Sequence, residues 1–399
     1  MKKEIIFIFL LSLVQLFWSC NDNSVRTEEQ VQETVTKNLS SLLPQIQAHQ
    51  SPSSVTFVYM TDLHNQVLST SYFKINDQIK KIEHLALAVN ELKKNVNLAC
   101  VIIGGDYLWN TESTSKSAAE DALQDFSETI RSIKDVPILC VKGNHDDNTV
   151  AGLANSLTPA DFCRDCASYF EHADVVTDAS NPYSCYGYYD FKPQKIRFLY
   201  LNSVDIPWIE QNGTLKYMGQ WDKGVSQKQL DFVKDALTFE EEGWGVVVLS
   251  HHALTSVSEY DTSSDSYITP GNGGVQLYNI IKAYKEKGQY TGEITGDFAS
   301  SVSVDFTNNA SNTVYCLLNG HTHCDRNVTF DDMLFCSTTS ATLGCDENCP
   351  NTDGSFSRPL GNISGEVAMD IVTVDKMTGI VYFDRYGFGK SRNFVFQHK

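Results

Sequence analysis

The sequence predicts a layered α/β fold, and three observations carry that expectation. Short runs rich in Val, Ile and Leu recur without polar alternation, as strands covered on both faces require. Segments of helical periodicity fall between several of these runs. Five of the six runs stop at a cluster of Asp, Asn, His and Gly. In open α/β sheets, the crevice outside the carboxyl ends of the strands is where ligands bind.

Residues 1–19 read as an export signal. Lys2 and Lys3 precede an apolar stretch over 5–18, too short for a membrane span and suited to a signal core. The ending LFWSC resembles a bacterial lipobox, although Phe17 and Trp18 are bulkier than its usual residues. Cleavage before Cys20 would leave a lipidated cysteine; the alternative is ordinary secretion with Cys20 discarded. Residues 20–52 are mostly polar and are expected to form a mobile tether to the membrane. A single domain is expected over 53–399.

The run at 55–60 ends in TDLHN, which supplies Asp62 and His64. Taken alone, this stretch also reads as a helix N-cap with an ordinary loop histidine. A helix is expected over 77–92, with Ile79, Ile82, Leu85, Leu87, Val89 and Leu92 as its apolar positions. The run at 98–103 ends in GGD, with Asp106. A second helix over 118–133 carries Leu123, Phe126, Ile130 and Ile133. The run at 136–141 ends in GNHD, with Asn144, His145 and Asp146. After a run at 196–201, Ser226 is placed to cap QKQLDFVKDAL. The run at 246–249 ends in SHH, with His251 and His252, and a fourth helix is expected over 275–284. The run at 314–318 ends in GHTH, with His321 and His323. Beyond Met333 the pattern changes: EVAMDIVTV and GIVYFDRYG flank DKMTG as an antiparallel hairpin. No internal repeat and no linker divides this body.

Composition narrows the functional classes. With 42% hydrophobic and 20% charged residues the chain folds. A formal net charge of -18 argues against a nucleic-acid-binding surface and fits a protein that collects divalent cations. Of 11 cysteines, Cys100, Cys140 and Cys316 sit inside apolar runs and are expected to be buried. Cys163, Cys166, Cys185, Cys345 and Cys349 lie in loop-like sequence and are disulfide candidates in an exported protein, with pairing open. CRDC also admits a redox motif or half of a zinc site, but without thioredoxin-like context.

One polar cluster at a strand end is usually a cap or a turn; five in order are not a core pattern. Asp-x-His, Gly-Asp, Gly-Asn-His-Asp, His and Gly-His-x-His, in this order over residues 55 to about 325, resemble the calcineurin-like metallophosphoesterases. The resemblance implies a sandwich of two mixed β-sheets flanked by helices, with a two-metal site at the strand ends. Asp106 would bridge the metals. Asp62, His64 and His323 would complete one site, and Asn144, His251 and His321 the other. His251 is preferred to His252 because it directly follows its strand. His145 would be the non-ligand histidine, protonating the leaving oxygen or stabilising charge, with Asp146 orienting it. Two such divalent ions polarise a phosphoryl group and generate a hydroxide nucleophile, and oxygen and nitrogen donors suit manganese, iron or zinc.

Departures from the family's branches shape the rest. Purple acid phosphatases carry a tyrosine three residues past the bridging aspartate, where this chain has Trp109, and Tyr107 is wrongly spaced to replace it. Protein phosphatases carry an arginine shortly after the bridging aspartate, whereas GGDYLWN has none. Only about 75 residues follow GHTH, too few for the C-terminal substrate domain of bacterial 5′-nucleotidases. Residues 104–115 and 251–274 contain no Lys or Arg, and Arg164, Lys216 and Arg326 are the nearer candidates. Tyr107, Trp109, Trp208, Trp221, Tyr260 and Tyr267 are available instead. The expectation is phosphate-ester hydrolysis that favours diesters. A phosphomonoesterase and a non-catalytic metal-binding surface lipoprotein are the alternatives.

Overall fold

The computed structural model describes residues 27–66, 81–256, 266–342 and 365–396. Residues 1–26, and with them the signal segment and Cys20, lie outside the described residues, as do Tyr260, Cys345 and Cys349.

The chain runs through helix α1 (Glu28–His49), strand β1 (Ser54–Met60), α2 (Lys81–Leu92), β2 (Leu98–Ile103), α3 (Lys116–Ile130) and β3 (Ile138–Cys140). It continues with α4 (Pro159–Asp165), β4 (Val175–Thr177), β5 (Gly187–Phe191), β6 (Ile196–Tyr200), α5 (Gln227–Ala236), β7 (Gly245–Leu249) and α6 (Gly274–Glu286). It closes with β8 (Gln289–Ile294), β9 (Ser300–Asp305), β10 (Thr313–Asn319), β11 (Arg326–Phe330), β12 (Met333–Ser337), β13 (Ala368–Asp375), β14 (Ile380–Gly387) and β15 (Arg392–Val395).

Two large mixed sheets hold most of the strands. The first has the order β15-β14-β13-β1-β2-β3 and the second β11-β12-β10-β7-β6-β5-β4. In the first, β1, β2 and β3 are parallel and β13 joins β1 antiparallel. In the second, β6, β7, β10 and β12 are parallel. The sheets share one apolar core. Val55, Phe57 and Tyr59 of β1 pack there with Phe198, Val247, Leu249 and Leu318, while Val58 and Met60 turn to the helices outside. Phe57 and Phe198 meet edge to face across the layers, centroids 5.0 Å apart. Helices α1 to α4 cover the outer face of the first sheet, and α5 and α6 that of the second. All six expected strand runs are strands, the C-terminal hairpin is β13–β14, and Ser226 caps α5 by accepting from the Gln229 N–H.

The tether expected over 20–52 is corrected for residues 28–49, which form α1. Thr27 and Gln30 close a capping box at its start. Val31, Val35, Leu39 and Ile46 make a narrow stripe that is fully buried on the first sheet's helical layer. The other positions are polar, so the average composition hid the stripe. At the far end, Gln45 donates to Asp384 at 2.7 Å, His49 contacts the same carboxylate at 2.9 Å, and the His49 ring stacks on Tyr382. These contacts fasten α1 to β14.

Cys100, Cys140 and Cys316 are buried, as expected. Cys166 is buried as well, against its loop-like reading. Cys163, Cys166 and Cys185 carry free thiols. Cys324, which sequence reading did not single out, is disulfide-bonded. The other described cysteines are free, so its partner lies outside the described residues.

Candidate metal centre

The five polar clusters meet where the parallel strands of both sheets end. β1, β2 and β3 deliver Asp62, His64, Asp106 and Asn144 from one sheet, and β7 and β10 deliver His251, His321 and His323 from the other. The loops are tied to one another before any ligand is considered. The Asp62 N–H donates to Gly105 O at 2.9 Å and the His64 N–H to Asp106 O at 2.9 Å. The His321 N–H donates to the Asp62 carboxylate at 3.1 Å, and the Gly320 N–H to His251 O at 3.0 Å.

Asp106 Oδ2 is the hub. Its companion Oδ1 is occupied by the His145 N–H at 2.9 Å. His251 Nε2 lies 3.3 Å from Oδ2, and His64 Nε2 and His145 Nε2 each lie 3.9 Å away. On one side, His323 Nε2 is 3.3 Å from Asp62 Oδ1 and 3.0 Å from His64 Nε2. On the other, Asn144 Oδ1 is 3.1 Å from His251 Nε2 and 3.0 Å from His321 Nδ1. Donor atoms about 2.1 Å from a shared ion stand roughly 3–3.4 Å apart, so both groups fit a divalent cation. Asp62, His64 and His323 form one metal-holding group, and Asp62, Asp106 and His251 another. His252 joins His251 and His321 in a third group, but its Nδ1 faces the Ser203 hydroxyl at 2.7 Å.

Protonation states point the same way. His64 Nδ1 meets the Leu108 carbonyl at 2.9 Å, and His251 Nδ1 meets the Gly104 carbonyl at 2.9 Å. A carbonyl only accepts, so each Nδ1 carries hydrogen and each ring turns its Nε2 inward. Burial pushes His64 down to about 3, keeping it neutral. Burial alone would raise Asp62, but His323 and His251 outweigh it and hold Asp62 at about 2. Burial disfavours charge on His251 too, yet Asp106 and Asp62 lift it to about 9. Two buried carboxylates thus draw in positive charge that a bound cation would supply.

The backbone is strained where the donors sit. Asp62 (φ 53°), His64 (46°), Asp106 (55°), His321 (67°) and His323 (55°) are all left-handed. Such residues cost about 1–3 kcal/mol each and cluster at functional sites. Two glycines permit the approach: a Cβ on Gly143 would fall 2.2 Å from Asp106 Oδ1, and one on Gly320 would fall 2.5 Å from Asp62 Oδ2.

His145 is beside the cluster, but its orienting partner is not the one expected. Asp146 does not face the imidazole. Its carboxylate accepts from the N–H groups of Asp106 (3.0 Å), Tyr107 (2.7 Å), Leu108 (3.3 Å) and Gly143 (2.7 Å), pinning the Asp106 loop to the Gly143 turn. His145 is held by Asn110, whose Nδ2 donates to His145 O at 2.6 Å and whose Oδ1 lies 2.9 Å from His145 Nδ1. The Asn110 amide orientation is therefore fixed, and His145 Nδ1 carries hydrogen. Trp109 stacks on the His145 ring at 5.4 Å and meets His64 edge-on at 5.1 Å. Gln220 Nε2 lies 3.4 Å from His145 Nε2. Asn110 and Gln220 are 35 and 75 residues from His145, and no local pattern announces either.

With this geometry in place, comparison with known proteins gives the class. The model of the calcineurin-like phosphoesterase family matches residues 55–325. The chain belongs to that family of metallophosphoesterases and is a phosphoric ester hydrolase. A dimetal phosphatase from Danio rerio is similar in fold, with 12% sequence identity and a TM-score of 0.52, over 86% of this chain and 99% of that one. The NAD nucleotidase of Haemophilus influenzae aligns with 12% identity and a TM-score of 0.37, over 86% of this chain and 49% of that one, so this chain spans about half its length. No curated protein matches the sequence significantly.

Proposed function

We propose that this enzyme hydrolyses phosphodiesters in preference to monoesters, with two divalent metal ions held around Asp106. Asp62, His64 and His323 would complete one site and Asn144, His251 and His321 the other. The gathering of the other six side chains around Asp106 carries the reading. When bound, the ions supply Lewis-acid stabilisation of the phosphoryl oxygens and lower the pKa of the attacking water. Oxygen and imidazole donors suit manganese, iron or zinc. His145, outside both ligand sets, is placed to give a proton to the leaving oxygen through Nε2, with Asn110 fixing the ring. Asp146 holds the loops.

The surroundings favour a singly charged substrate. Arg164 is engaged by Asp161, Asp165 and Glu120, and Lys216 by Asp297. A monoester dianion gains from extra cationic grips; a diester carries one charge and a second organic arm. Trp109 beside His145 and the 57% exposed Trp221, next to Gln220, offer apolar surface for such arms. Paired kinetics on para-nitrophenyl phosphate and its bis ester, at matched metal loading, test this. We expect the higher kcat/KM on the bis ester; a higher value on the monoester reverses the preference. Binding of metals without hydrolysis of either ester would count against both ester readings.

We further propose that the enzyme is exported and held at a membrane by lipid on Cys20, on the strength of LFWSC following a short apolar core.

A further inference from the structure

The metal centre uses none of the seven free cysteines among the described residues, and the fold gathers four of them. Cys140 ends β3, four residues before Asn144. Cys163 lies in α4, Cys166 caps that helix, and Cys185 precedes β5. A cavity of about 520 Å³ is lined by Cys140, Cys163 and Cys185, with Ile138, Phe170 and Tyr183 among its other walls. Cys166 is not on the cavity wall. It is fully buried, with its sulfur 3.7 Å from that of Cys140. CRDC suggests pairing Cys163 with Cys166, but the sulfur that Cys166 touches belongs to β3, 26 residues away.

We propose that Cys140 and Cys166 are a redox pair that closes reversibly to a disulfide, by thiol–disulfide exchange through this cavity. Disulfide sulfurs stand about 2.05 Å apart, so the two must approach by less than 2 Å. The co-reactant is a low-molecular-weight disulfide such as oxidised glutathione. Cys140, on the cavity wall, attacks as the thiolate. Its sulfur bonds to one glutathione sulfur, the glutathione S–S bond breaks, and one glutathione thiolate leaves. The Cys166 thiolate then attacks the Cys140 sulfur of the mixed disulfide and expels the second glutathione. Two protein thiols are oxidised, one glutathione disulfide is reduced, and the two protons pass to the departing thiolates. Burial pushes the Cys166 thiol well up, so exchange is slow, and the pair behaves as a lock set over hours.

The lock sits next to the metal centre. Tyr107, which directly follows Asp106, places its hydroxyl 2.8 Å from Cys140 Sγ and donates to the Val141 carbonyl at 2.5 Å. The same residue's N–H is one of the four that Asp146 holds. A Cys140–Cys166 bond would thus brace the strand end that leads to Asn144 and His145.

The test is incubation of the metal-loaded full chain in oxidised and reduced glutathione mixtures, with acid quench, alkylation and peptide mapping. The expected product is a linked peptide pair containing Cys140 and Cys166, absent after dithiothreitol. A cross-link over this separation raises Tm by roughly 4–5 °C for a body of this size. Cys166→Ala and Cys140→Ser should abolish the rise, and Cys163→Ser should keep it. Alkylation of both Cys140 and Cys166 after oxidation overturns the proposal. So does a linkage joining Cys163 to Cys166 or to Cys185 in place of the pair, or a Tm rise that persists in Cys166→Ala. Mapping of the unsubstituted chain decides the matter even where a variant fails to fold.

Discussion

Replacing Asn110 and Asp146 in turn separates the orienting of His145, which sequence reading gave to Asp146, from the holding of the loops. Asn110→Ala removes the two hydrogen bonds that Asn110 makes to His145, one at the ring and one at its carbonyl. Neither bond involves a residue of the proposed ligand sets, so metal content should be unchanged. The loss falls on proton delivery. Deleting a general acid costs about 10²–10⁴-fold, and a misaligned acid loses part of that, so kcat should fall by about 10–100-fold. Asp146→Asn acts elsewhere. Each carboxylate oxygen accepts two backbone N–H groups, Tyr107 and Leu108 on Oδ1, Asp106 and Gly143 on Oδ2. An amide turns one oxygen into a donor, so two buried N–H groups lose their acceptor whichever way it faces. At about 1–3 kcal/mol each, the cost is about 2–6 kcal/mol, concentrated on the loops that carry Asp106 and Asn144. This variant should lose metal and thermal stability together. Metal analysis, kcat and thermal melting on both proteins make the assay. Asn110→Ala with wild-type kcat, or Asp146→Asn with full metal content and unchanged Tm, would refute this division of labour.

Three further outcomes follow from the same structure. Asp106→Asn should deplete both metals because one oxygen faces both donor groups, whereas His145→Ala should keep both and cut turnover by about 10²–10⁴-fold; equal metal loss in the two variants would make His145 a ligand. Leu39→Ala should cost about 2–5 kcal/mol and lower Tm by about 3–6 °C, since Leu39 is fully buried under α1; a melt within 1 °C of the parent would return residues 28–49 to the role of a tether. Cys20→Ala should move the protein from the membrane to the soluble fraction, and retention on membranes after a high-salt wash would place the anchor elsewhere.

What could be read in advance divides along a physical line. Central strands covered on both faces must be apolar throughout, so β1, β2, β3, β7 and β10 stood out, and the polar residues at their ends stood out by contrast. Metal donors are few in type, so the residues that meet around Asp106 were all nameable before the fold was known. Helix α1 failed the same reading because four buried positions in 22 residues suffice to dock it, too few to lift the average. Asp146 was misread through adjacency: it follows His145 in sequence, but its carboxylate turns inward to backbone N–H groups. Asn110 and Gln220 act across folded distance, which only the assembled loops reveal.

The metal centre also explains why the strain and the surrounding bonds occur together. Five donor-bearing residues hold left-handed backbone, at about 1–3 kcal/mol each, a total comparable to the net stability of a domain. Loops free to relax would give that strain up and scatter the donors. Here they cannot, because each is tied to another: Asp62 to Gly105, His64 to Asp106, His321 to Asp62, Gly320 to His251, and the Asp106 and Gly143 turns jointly to Asp146. The ties run between the two sheets as well as within one, so the sandwich core supplies the stiffness the donors need. Donor atoms are thereby held 3.0–3.9 Å apart and facing inward. A site ordered in this way does not have to organise its ligands during binding or turnover. The binding free energy of the ions is then available for positioning the phosphoryl group, which is where rate acceleration in phosphoryl transfer originates.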